Sequence, residues 1–310
     1  MRLCAPSNIR DADFAAISQQ DLIAPDDATV VEGESFEVMD VPDAGRSGFT
    51  HFLDGAQKAW SAGYIGFFPF RIAHTSAALL ERRDRAVSSP TDHTWSGALE
   101  FFAPEGEVAL EVLSQTLKVH TVSFAQEESA LAVQLEITKQ IENRRKEHEL
   151  LLAASFTDGC LLIDGGIGEA VRKLPPSAFV VGLVKSHQRQ YFRSLERREK
   201  MLNMKAGQRS SVFLRPSSAK QGNDAYSFYL KMRDGQHQPP MFGLARIETP
   251  AEEVYLRQAD DIAGWLLHER CPLSLPDPRF HVLPYPIHLV ERHLKARQPS
   301  DAAIRGLIGL

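Results

Sequence analysis

The stretch Cys160-Leu161-Leu162-Ile163-Asp164-Gly165-Gly166-Ile167-Gly168-Glu169 decides how the rest of the chain is read. A short apolar run bounded by glycine reads as a buried strand, and its last residue is a carboxylate followed at once by glycines that free the backbone to turn. In open α/β sheets, ligands bind outside the carboxyl ends of the strands, so Asp164 stands where chemistry is expected. The competing role is local: an Asp at this point also caps a helix starting near Glu169 or opens an Asx turn. A second copy of the pattern, His51-Phe52-Leu53-Asp54-Gly55-Ala56, lies far away in the chain. Two strands that each deliver an Asp to one sheet edge set two carboxylates close enough to share a hard divalent cation, which prefers oxygen ligands.

Outward from these two runs the chain reads as α/β. After Asp164 comes a helix near Glu169 to Lys173, a break at Pro175-Pro176, and a second buried strand from Ala178 to Val184, ending in Lys185. Strand, helix, strand at this spacing predicts a parallel βαβ pair with Lys185 on the same edge as Asp164. A long helix is expected from about Glu127 to Ala154, with Val133, Ile137 and Ile141 in step. Its charged faces read as solvated, but Glu147 lies one turn before Leu151 and offers a third carboxylate, with Glu149 as its competitor. Residues His51 to about Arg83 read as a β-meander, and Ala98 to Phe102 as a further strand. Ala225 to Met232 and Met241 to Ile247 form a hairpin with a long loop, followed by a helix around Trp265-Leu266-Leu267 and a terminal helix bearing Glu291 and His293. Residues 1–46 are expected to be an extension or partner-binding arm, and 47–310 the folded domain.

Composition narrows the class. With 310 residues and 43% hydrophobic content the chain builds a packed core. It has no run of about 18 apolar residues and no basic-then-apolar start, so a cytoplasmic protein without membrane association is expected. Cys4, Cys160 and Cys271 are odd in number and widely spaced, which disfavours both a disulfide framework and a cysteine zinc site. A net charge of -5 argues against indiscriminate coating of nucleic acid. One basic stretch stands out: Lys185, Arg189, Arg193, Arg197, Arg198, Lys200, Lys205 and Arg209, with Tyr191 and Phe192 between them. It reads either as a phosphate-contacting surface or as a solvated helix of Arg/Glu pairs. Gly165-Gly166-Ile167-Gly168 fails the spacing of a dinucleotide loop.

Taken in order, Phe52-Leu53-Asp54-Gly55, the helix with Arg144-Arg145 and Glu147, Leu162-Ile163-Asp164-Gly165-Gly166, Val181 to Ser186, Phe228-Tyr229-Leu230 and Tyr285-Pro286-Ile287 to His293 resemble the NurA nucleases over about His51 to Ser300. The resemblance implies an RNase H-like mixed sheet flanked by helices. It implies a DNA nuclease, a 5′-3′ exonuclease and single-strand endonuclease, that works as a homodimer with a HerA-type hexameric translocase in DNA end processing, repair or defence. It further implies a Mn²⁺ or Mg²⁺ site held by Asp54, Glu147, Asp164 and His293. In the reaction so implied Lys185 neutralises the phosphate, and Lys185, Arg189, Arg193 and Tyr285 position the strand. A nuclease-like adaptor that docks a translocase without cutting, and an RNase H-like enzyme acting on RNA, are the alternatives.

Overall fold

The computed structural model describes residues 28–65, 68–84, 86–89, 94–105, 117–123, 129–168, 173–175, 177–185, 191–215, 224–235 and 238–307. Within them, thirteen strands join in one mixed sheet. In chain order these are β1 (Thr29–Val30), β2 (Val38–Asp40), β3 (His51–Ile65), β4 (Phe68–Arg83), β5 (Ala86–Ser88), β6 (Trp95–Pro104), β7 (Val119–Val122), β8 (Cys160–Asp164), β9 (Phe179–Val184), β10 (Gln208–Ser210), β11 (Phe213–Arg215), β12 (Ala225–Lys231) and β13 (Leu244–Pro250). The helices are α1 (Ala130–Ser155), α2 (Leu195–Leu202), α3 (Glu253–Arg257), α4 (Ala259–His268), α5 (Tyr285–Arg297) and α6 (Asp301–Leu307). The sheet runs β1-β11-β12-β13-β9-β8-β3-β4-β6-β7, with β2, β5 and β10 paired off that path. The pairs β3/β8, β8/β9 and β6/β7 are parallel, and the remaining pairs are antiparallel.

The centre of the sheet is covered on both faces, which is why β8 and β9 read as continuous apolar runs rather than alternating ones. Leu53, Leu161 and Val180 pack with Leu152 and Ala153 of α1. Their immediate neighbours Phe52, Leu162 and Val181 pack with Ile287, Val290 and Leu294 of α5. Because successive strand side chains point to opposite faces, α1 and α5 sandwich the sheet. The Ser129 hydroxyl caps α1 by accepting from the Ala132 N–H at 3.2 Å. Val133, Ile137 and Ile141 supply its buried stripe. Pro286 sits in the first turn of α5, where its missing N–H removes no intrahelical bond.

Two expectations change. Asp54-Gly55 does not end a strand: β3 continues through both residues to Ile65 and pairs with β4 along its length, so 51–83 is one long hairpin and not a three-stranded meander. The described part of the 1–46 segment joins the sheet, β1 pairing with β11 and β2 with β10, while Ala28 and Phe36 are buried. Residues 1–27 and most of the expected 169–173 helix lie outside the described residues. Among those described, no helix is long and apolar enough to cross a membrane.

Gly182 of β9, the register partner of Ile163, lies under the turn that follows Asp164. A Cβ there would stand 2.6 Å from the Gly165 carbonyl oxygen and 3.0 Å from Ile167 N. Both obstacles are backbone atoms, so the turn itself would have to move. We expect Gly182→Ala to lose about 1–3 kcal/mol of stability in urea unfolding; an unchanged midpoint would contradict this packing.

Candidate metal centre

Parallel register brings the two acids together. His51 pairs with Leu161, Phe52 with Leu162 and Leu53 with Ile163. The next step along both strands sets Asp54 beside Asp164, on one face of the sheet. There β8 stops, its chain turning at Gly165 with φ 117°, whereas β3 runs on. Glu291 projects from α5 onto the same face, and ligand oxygens of Asp54, Asp164 and Glu291 all lie within 4.8 Å of one another. Asp54 is 6% exposed and uses one oxygen to accept from the Gly55 N–H at 2.7 Å.

Two cations hold this cluster. Lys185, the first residue after β9, places Nζ 2.6 Å from Asp164 Oδ2 and 3.9 Å from Glu291 Oε1. Arg279 forks onto Glu291 with bonds of 2.8 and 2.6 Å and reaches Asp277 at 2.8 Å. The balance is incomplete at Asp54. Burial pushes its carboxyl well above the usual range, and Asp164, Glu291 and Glu149 push it further, against the pull of Lys185. A divalent cation among these oxygens would relieve that crowding, and an all-carboxylate donor set suits Mg²⁺ or Mn²⁺.

The fourth acid arrives from the other face. Glu149 of α1 lies directly over Gly55: a Cβ at residue 55 would fall 2.0 Å from Glu149 Oε1. Gly55 thus leaves room for the Glu149 carboxylate, which a Cβ would oblige to shift, and its backbone runs on within β3. Glu149 is 17% exposed and paired with Arg145. Burial raises its pKa, as does Asp164. Glu147, two residues earlier and so about 200° round the helix, has a 61% exposed side chain bonded to Arg144 at 2.6 Å. The same arithmetic separates His293 from Glu291. His293 lies off the acid cluster, with Nδ1 3.2 Å from the Arg297 guanidinium and Nε2 buried without a hydrogen-bond partner. The sequence-derived set therefore splits: Asp54, Asp164 and Lys185 converge, Glu149 stands where Glu147 was expected, and Glu291 takes the place expected of His293.

The basic stretch is mixed: its aromatic residues and Arg209 are internal, whereas its other described cations are half-buried or exposed. Tyr191 and Phe192 are buried with Phe213 and Tyr229, and Arg209 is held by Glu32 at 2.7 Å and Asp260 at 2.5 Å. Lys200 bonds to Glu37 and Glu196. Arg193 is exposed, and Arg189 lies outside the described residues. Tyr285 is 40% exposed at the start of α5 but lines a separate hollow with Arg46 and Arg82. Two clefts meet at Asp164 instead. One, of about 340 Å³, includes Gln57, Arg279, Lys295 and Gln298, and the other, of about 720 Å³, includes Arg145, Lys146 and Arg215. No protein-family model matches the chain, and no curated protein matches it.

The sign of the charge crowding yields a test. A carboxyl whose folded pKa is raised contributes stability below its unfolded value of about 4, and that stability is lost as pH rises through the folded value. With divalent ions chelated, the thermal midpoint should fall as pH rises above the ordinary carboxylate range. Asp54→Asn, which keeps an acceptor for the Gly55 N–H, should flatten that fall and abolish the stabilisation given by added Mn²⁺. A wild-type pH profile with an intact Mn²⁺ response in the variant would contradict the reading.

Proposed function

We propose that this chain is a metal-dependent nuclease of the NurA kind, hydrolysing DNA phosphodiester bonds at the Asp54–Asp164–Glu291 centre. The observation that carries the reading is the convergence of three carboxylates from β3, β8 and α5 within 4.8 Å, beside the Lys185 ammonium. The finer fold reading, an RNase H-like core, rests on the acids lying at the junction of an antiparallel hairpin and a parallel strand pair.

Asp54, Asp164 and Glu291 would hold Mn²⁺ or Mg²⁺, with Glu149 beside them. When bound, the ion supplies Lewis-acid stabilisation of the phosphate and a water of lowered pKa. Lys185 would turn from Asp164 toward the phosphate and offset charge developing on its oxygens. Arg279 fixes Glu291 by its two-pronged grip, so the α5 ligand stays in place without help from substrate. Arg145 holds Glu149 through one bond and Gln57 through another. The clefts on either side of Asp164 carry Lys146 and Lys295, which are positioned to take flanking phosphates. Action as a homodimer with a HerA-type hexameric translocase belongs to the same proposal. One observation favours the non-cutting adaptor: Lys185 on Asp164 and Arg279 on Glu291 already neutralise two of the three acids.

Variants separate the two readings. Asp164→Asn and Glu291→Gln should abolish Mn²⁺-dependent cleavage of a labelled DNA strand, assayed with and without the partner translocase. Glu149→Gln should cost roughly 10–100-fold, as groups supporting a metal site do. Glu147→Gln should cut at near the wild-type rate. Lys185→Ala should lower turnover with Mn²⁺ binding retained. Cleavage by Asp164→Asn at the wild-type rate would end the nuclease reading, and no cleavage by any form would favour the adaptor.

A further inference from the structure

Behind the acid cluster, the segment Pro278-Arg279-Phe280-His281 divides between two places. Arg279 turns to Glu291 and Asp277, whereas Pro278, Phe280 and His281 line a separate pocket of about 640 Å³. That volume is within the range of small-ligand sites. Two of its walls are cationic, Arg233 and Arg270. Among the described residues neither is ion-paired with a carboxylate: Arg233 donates to the Cys271 carbonyl, and Arg270 donates to the carbonyls of Leu267 and Met232, at 2.6 and 3.0 Å. Arg233 Nε is buried without a hydrogen-bond partner. Burial, and then the nearby charge of Arg270, pull the Arg233 pKa down.

The remaining wall is aromatic. Phe242 stacks on His281 with ring centres 4.4 Å apart, Phe280 meets Phe242 edge-on at 6.1 Å, and the Arg233 guanidinium lies 6.0 Å from the Phe280 ring. His281 accepts from the Gly243 N–H at Nδ1, and burial lowers its pKa, so the neutral ring carries its proton on Nε2. The one acid on the lining, Asp234, accepts from the Ala206 N–H at 2.9 Å through one of its two oxygens. Paired arginines match the fork of a phosphate, and flat rings match a nucleobase.

We propose that this pocket binds a nucleoside phosphate, with Arg233 and Arg270 on the phosphate and the Phe242–Phe280 wall against the base. Two sources share that chemistry: the terminal nucleotide of a strand, and a free mononucleotide. The site needs no divalent ion, so it stands apart from the nuclease reading.

The test is calorimetric titration of the full chain with adenosine 5′-monophosphate at low salt in the presence of a chelator. Saturable binding is expected, at least about tenfold tighter than inorganic phosphate alone because stacking adds to the ion pairs. Arg270→Gln and Arg233→Gln should each weaken it at least about tenfold, the loss of a charge-assisted contact. Lys295→Gln, in the acid cleft, should leave it unchanged. Because Arg270 also holds the Leu267 and Met232 carbonyls, the thermal midpoint of each variant is measured alongside. Phe280→Leu, which removes one ring of the wall and neither arginine, should weaken the mononucleotide at least about threefold and leave inorganic phosphate unchanged, so the test stands even where an arginine variant unfolds. No saturable binding, binding that survives Arg270→Gln at full strength, or equal affinity for inorganic phosphate would each overturn the proposal. Competition by a 5′-phosphorylated oligonucleotide but not its 5′-hydroxyl form identifies a strand end as the source. Competition by neither, with the mononucleotide still bound, identifies the free nucleotide.

Discussion

The structure depends on like charges held together. Asp54, Asp164 and Glu291 sit with oxygens within 4.8 Å, at a place buried enough that Asp54 is nearly inaccessible to water. Such crowding is unfavourable in a low dielectric, because neither water nor distance screens it. It persists because Lys185 and Arg279 offset two of the acids and because each acid is fixed by an element stabilised elsewhere. Phe52 and Leu53 anchor β3, Leu161 and Leu162 anchor β8, and Ile287, Val290 and Leu294 anchor α5. Large apolar burial on both faces of the sheet offsets a local electrostatic cost, the arrangement typical of a site where charge is kept for use.

The cations around the acids have distinct tasks. Arg279 grips Glu291 through two bonds and is itself tied to Asp277. It orients that carboxylate. Lys185 reaches two acids from one flexible stem, Asp164 at 2.6 Å and Glu291 at 3.9 Å, so a single ammonium is shared between them. Arg145 and Glu149 repeat the oriented pattern from α1, through the gap left by Gly55. The centre is therefore reached from both sides of the sheet, at the point where β8 stops and β3 does not.

Much of this was legible from sequence, for reasons that can be named. The buried runs at 160–163 and 179–184 carry apolar residues or glycine at every position because both faces are covered, and the 225–250 hairpin keeps its alternation beside turn residues. Asp164 stood out because Gly165 follows it. Asp54 was found by the same Asp-Gly signal, although here the glycine serves Glu149 and the strand does not end. What failed was helical phase. Choosing Glu147 over Glu149, or His293 over Glu291, needs the rotation of a helix about its axis, and charged residues on both faces leave that rotation unmarked. One signal was available for α5: Ile287, Val290 and Leu294 define its buried stripe, and Glu291 adjoins that stripe. Within the basic run, Arg209 is drawn inside by Glu32 and Asp260, partners remote in sequence that no local pattern announces.

Crystals of the full chain soaked in Mn²⁺, measured at a wavelength where manganese scatters anomalously, test the central claim most directly. The account expects an anomalous peak enclosed by oxygens of Asp54, Asp164 and Glu291, with the Lys185 ammonium displaced from Asp164. No peak at that position, with the Lys185–Asp164 contact intact under saturating Mn²⁺, would contradict it.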